Sequence, residues 1–179
     1  MLAILLWHMV RSPGRRILVR VGIAIRDSID QVTSAIETLI SVREQVESVM
    51  ATAAIANQDA RLQPLADTLS ENARVVHEEL MQTNNRSGQD PIRFPPQLDN
   101  QLVELYNYVT GVDGYISGGR EGRPTSAAYR RFDDLNADWS AIRGRYQSIL
   151  ANELQRFNDA VEQLGLPAIV LTSDGRLIS

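Results

Sequence analysis

His8 and His77 are the only histidines in the 179-residue chain, so any metal or acid–base chemistry must be sought around them first. A carboxylate-bridged metal pair in a helical bundle needs Glu-x-x-His from facing helices. Arg74 stands three residues before His77, and Leu5 three before His8, so that motif is absent. The run His77-Glu78-Glu79-Leu80-Met81 also lacks the second histidine of a helical zinc motif. His77 therefore reads as a surface or half-buried residue. Adjacent carboxylates occur at Glu78–Glu79 and Asp133–Asp134. Neighbours on a helix diverge by about 100°, so neither pair can clasp one substrate. A glycosidase needs two carboxyls about 5–10 Å apart across a cleft, and no pair here is nominated for that role. These carboxylates read as solvated faces.

The stretch from Gly114 to Pro124 (GYISGGREGRP) is glycine-rich and leads into a helix, as phosphate cradles do. It follows a helix where those motifs follow a strand, and it has neither the Walker lysine nor the Rossmann spacing. It reads as a helix–helix hinge. Asn85-Arg86-Ser87 has the form of a glycosylation sequon, which carries weight only in a eukaryotic secretory context. Composition removes further chemistry. There is no cysteine, which excludes disulfides, thiolate nucleophiles and zinc–thiolate sites. All 18 basic residues are arginine, so Schiff-base lysines and the P-loop lysine are excluded as well. A net charge of −4 argues against general nucleic-acid binding. No catalytic, metal or cofactor-binding residue is assigned.

The elements that would position such residues are helices. Ile25, Ile29, Val32, Ile36, Leu39, Val46, Met50 and Ala53 recur in steps of four and three, with Arg43 the one polar entry. This predicts a first helix over 23–55. A short link at 56–60 predicts an antiparallel neighbour carrying Leu62, Ala66, Leu69, Ala73, Val76 and Leu80. Residues 83–97 hold three prolines and form the longest loop. A third helix carries Leu98, Leu102, Leu105, Val109, Val112 and Ile116, with Gly111 and Gly114 as interruptions. The fourth starts after Pro124 with Thr125 or Ser126 as its N-cap. Its stripe is Ala128, Phe132, Leu135, Trp139, Ile142 and Tyr146, which then shifts through Leu150 and Leu154 to Phe157, Val161 and Leu164. That shift is a stutter, which relaxes a supercoil locally. Gly165, Leu166 and Pro167 mark the stop.

The lengths pose a packing problem, because the fourth helix is about twice as long as the second or third. Its far end, around Phe157, Val161 and Leu164, must meet the first helix, the N-terminal segment or something outside the chain. The tail AIVLTSDGRLIS reads as an irregular or β-like extension that could cover this end. At the other terminus, MLAILLWHMV precedes Arg11, Arg15 and Arg16. The charge follows the apolar run, unlike in a secretory signal, and ten residues fall short of a bilayer span. Residues 1–22 are thus set apart from the bundle as an apolar and basic segment: a frayed, disordered or helix-docked end, or the product of a misplaced start. Membrane contact by residues 1–16 is a weaker alternative for them.

Several stretches together resemble a known family. They are Ile25-Arg26-Asp27-Ser28-Ile29, Ser41-Val42-Arg43-Glu44-Gln45-Val46, Leu105-Tyr106 with Gly111, and the run Tyr129…Phe132…Asp134-Leu135…Trp139. Phe157-Asn158 and Gly165-Leu166-Pro167-Ala168-Ile169 complete the set. The pattern is similar to the C-terminal helical region of bacterial BNR/sortilin-like (VPS10-type) β-propeller proteins, often labelled glycosyl hydrolases, and covers about 23–169. The resemblance implies a helical appendage of an exported or envelope protein whose propeller would carry any sugar chemistry. It brings no catalytic residue to this chain, and residues 1–22 depart from the expected end of a β-domain.

The expected fold is all-α: an antiparallel four-helix bundle with two long and two shorter helices over 23–169, flanked by segments 1–22 and 170–179. The expected role is a non-catalytic docking or assembly module whose partner is a protein or the parent propeller, with homo-oligomerisation a further option. Its candidate surface is Phe157, Val161 and Leu164, with Tyr106, Tyr115 and Tyr129. The alternatives are part of a glycoside hydrolase whose active site lies elsewhere, or an envelope-associated helical sensor.

Overall fold

A computed structural model describes residues 13–83, 94–111 and 124–171, and among these the regular structure is entirely helical. Four helical rods run in sequence. The first is α1 (Pro13–Ile55), followed by α2 (Asp59–Leu80) and α3 (Leu98–Thr110). The last rod is α4 (Ser126–Ser148), continued without a break by a π-helical segment (Ile149–Leu154) and α5 (Gln155–Gln163). The all-α class and the two-long, two-short pattern agree with the sequence.

The first helix starts ten residues earlier than its apolar stripe predicts. Proline is tolerated in a first turn because its missing N–H has no intrahelical partner there. Residues 17–25 are apolar on nearly every side, so periodicity could not locate the start, and residues 13–22 join the bundle's first rod instead of a separate segment. Asn57 closes the α1–α2 turn in the left-handed region (φ 55°), where asparagine is the best tolerated residue after glycine. The Gln58 N–H reaches the Ala53 carbonyl and the Asn57 N–H reaches Ala54, which satisfies the last carbonyls of α1. Gly111, also left-handed (φ 70°), caps α3 earlier than expected. Val112, Ile116, the glycine-rich stretch up to 123 and the tail from 172 lie outside the described residues.

Side-chain ties between the rods set their directions. Ser28 donates to Asn136, and the Trp139 indole donates to Gln31, at the same sequence offset, so α1 and α4 run parallel. Arg145 pairs with Glu79, and Asn72 donates to Glu153 eight residues further along, so α2 is antiparallel to the fourth rod. Gly22 of α1 lies against Thr110 at the end of α3. Glu79 from the end of α2, Leu98 from the start of α3 and Ile142 from mid-α4 line one groove. Helices α2 and α3 therefore follow one another along the same side of α1. The four helices occupy three positions in cross-section, and the two short ones together match the length of each long one. This arrangement resolves the packing problem without an outside partner.

The core follows the stripes. Ile25, Val32, Leu39, Leu62, Leu69, Leu80, Leu102, Leu135, Phe157 and Val161 are fully buried. The stutter is present as the π-helical segment. Its physical effect is a change of spacing: Ile149 and Leu154, five apart, are both buried, while Leu150 is half-buried. Five residues of α-helix advance about 140° past a full turn. The wider π turn brings the fifth residue back to the same face. Downstream, Gly165 (φ 71°) ends α5 with Leu166 N–H on Val161 O and Gly165 N–H on Glu162 O, the Schellman arrangement. Thr125 caps α4, accepting from the Ala128 N–H at 3.2 Å.

Candidate docking surface

The proposed contact surface at the end of the fourth rod is not an open face. Phe157 and Val161 are both 0% exposed. The residues after Gly165 turn back over this end. Asn158 holds Ile169 through two 2.9 Å bonds, its amide donating to the Ile169 carbonyl and its Oδ1 accepting the Ile169 N–H. Val170 N–H then reaches Gln45 of α1 at 3.3 Å. Phe157 and Val161 are thus core residues, closed off within the chain by α2 and by Ile169, whereas Leu164 stays half-buried at the rim. Tyr106 is half-buried on α3 and Tyr129 half-buried in the first turns of α4, while Tyr115 lies outside the described residues.

Titratable groups form structural pairs. On α2, Arg74 bridges Glu71 and Glu78 at 2.7 Å each, a pair of i+3 and i+4 contacts on a partly exposed face. The hydrogen bond from Arg74 holds the Glu71 carboxyl below its ordinary range. Arg145 does the same for Glu79 across the α2–α4 seam. Where α2 gives way to α3, His77 is 8% exposed and its Nε2 has no hydrogen-bond partner among the described residues. Burial first, and the nearby Arg43 guanidinium second, push its pKa below the usual imidazole range. Asp99, in the first turn of α3, is pushed upward by burial although it accepts the Asn100 N–H. His77 and Asp99 feel each other's charge where α2 gives way to α3, each against the larger effect of burial. Among the described residues no three His, Asp or Glu side chains are grouped to hold a metal.

Among the described residues, one open groove lies between parallel α1 and α4 and measures about 370 Å³. Asp30, Gln31, Ser34 and Ala35 form one wall, and Trp139, Arg143, Tyr146 and Gln147 the other. A three-position cross-section leaves this side uncovered by a fourth rod. Trp139 and Tyr146 were legible as stripe residues, but sequence reasoning missed Ala35, Asp30 and Arg143 as their neighbours. Only the parallel pairing of helices a hundred residues apart brings them together. Searches against protein families, curated proteins and solved structures find no match.

Proposed function

We propose that this chain is a non-catalytic helical docking or assembly module, of the kind appended to BNR/sortilin-like propeller proteins. The observation that carries the reading is the α1–α4 groove. Its walls set the half-buried Tyr146 and the exposed Arg143 beside the edge of the largely buried Trp139, and tyrosine, arginine and tryptophan are the residue types that dominate binding energy at protein interfaces. The resemblance adds support, since the residues that convey it are ones that hold the bundle together. Leu135 and Trp139 pack in the core, Asn158 clamps the returning chain, and Gly165 ends the last helix. The partner is the propeller of the same polypeptide or a protein that it assembles with.

An immunoblot of the source organism with an antibody against residues 126–163 tests the appended part of this reading. A band several times larger than 19.9 kDa is expected. A band near 20 kDa alone refutes it. In the larger protein, Ser34→Arg, at an exposed position of the groove wall, obstructs the groove and is expected to make the helical region more susceptible to limited proteolysis, while leaving the melting of the isolated bundle unchanged.

A further inference from the structure

The N-terminal end of α1 combines exposed apolar side chains with an excess of positive charge. Val19 is 57% and Ile23 46% exposed, the two open apolar side chains of this end of the helix. Val19, Ile23 and Arg26 recur at helical spacing on one face, and Arg20 flanks it. A groove lined by Leu18, Val19, Ile23, Arg26 and Tyr106 continues the apolar strip onto α3. Val103, one turn before Tyr106, is 41% exposed as well. The charge is equally lopsided. Residues 1–26 hold five arginines and no acidic residue, leaving thirteen arginines against twenty-two acidic residues in the rest. Arg26 reaches Asp27 only at 3.8 Å, with both side chains more than half exposed, so its charge remains available.

We propose that this end of α1 docks on an anionic lipid surface, with Val19 and Ile23 entering the interfacial zone and the exposed Arg20 and Arg26 meeting the headgroups, the arginine-rich sequence before them adding to the positive charge. A helix that lies on a membrane needs an apolar strip together with cationic flanks. The acidic remainder of the chain is repelled by the same surface, which orients the bundle away from it. No helix among the described residues is long and apolar enough to cross a membrane, so the contact is interfacial. The inference is independent of the groove between α1 and α4.

Co-sedimentation of the full chain with vesicles tests it, using phosphatidylcholine alone and phosphatidylcholine with phosphatidylglycerol. Binding to the anionic vesicles is expected, with at least a tenfold loss on raising salt from 0.1 to 0.5 M, because screening shortens the reach of the arginines. The variant R15Q/R16Q/R20Q/R26Q should lose at least tenfold, and V19S/I23S several-fold, with circular dichroism showing both folded. The proposal is overturned by absent binding to anionic vesicles, by equal binding to neutral ones, or by a quadruple variant that binds as well as the parent. Self-association that V19S/I23S abolishes, without vesicle binding, would overturn it in favour of a second copy of the chain on this patch.

Discussion

Deleting Ala151 should leave the bundle intact, although shifting a helix by one residue ordinarily destroys its register. Ala151 is exposed and lies inside the π-helical segment, between buried Ile149 and Leu154. That segment accommodates one residue more than an α-helix would need to return to the same face. Removing it leaves Ile149 four residues from the next core position, so the segment can close as ordinary α-helix with Leu154, Phe157 and Val161 still facing α2. No buried side chain changes face, and the expected change is within about 1 kcal/mol, a melting shift of no more than about 4 °C at this chain length. Deleting Ser140, equally exposed but within regular α4, is the control. It rotates Ile142 and Ile149 out of the core by about 100° before the π segment can revert and restore the register beyond it. Two isoleucines at about 1.5–3 kcal/mol each amount to about 3–6 kcal/mol, or a drop of roughly 6–24 °C. Thermal unfolding followed by circular dichroism reads both. A Ser140 deletion that is no worse than the Ala151 deletion would refute this account of the π segment.

Other perturbations test the remaining structural claims. Phe157→Ala should cost about 3–5 kcal/mol in urea unfolding, because a fully buried aromatic leaves a cavity; a loss below about 1 kcal/mol would return Phe157 to the surface. Asn158→Ala removes both bonds to Ile169 and should cost about 1–3 kcal/mol, with faster cleavage near residues 166–171 in limited proteolysis and little change elsewhere. For His77 the folded-state pKa lies below the unfolded value, so the unfolded chain takes up the proton first. Its contribution to stability is therefore complete above about pH 6.5 and is lost as pH falls through the depressed folded-state pKa. His77→Leu should reduce the fall in urea midpoint between pH 7.5 and pH 5, and identical slopes in the two proteins would contradict the burial argument.

Much of this protein is determined locally and is therefore legible in the chain. The apolar steps of four and three define helices because side chains on one face must be buried together. Thr125 and the Gly165-Leu166-Pro167 stop act within a few residues of the backbone groups that they satisfy. Even the stutter could be read, since a break in periodicity is a property of one strip of residues, although Ile149 was not identified as the residue buried in place of Leu150. The start of α1 was lost where apolar residues surround the helix and periodicity carries no signal. Tertiary structure alone decided how the rods share space. The end-to-end succession of α2 and α3 depends on which lengths fill the side of α1 most completely, a property of the whole bundle. The burial of Phe157 and Val161 depends on chain that returns from beyond Gly165, and the groove of Ala35, Trp139 and Tyr146 exists only where α1 and α4 run parallel. Each of these is a long-range pairing, and nothing in a local stripe of residues says which other stripe it will meet.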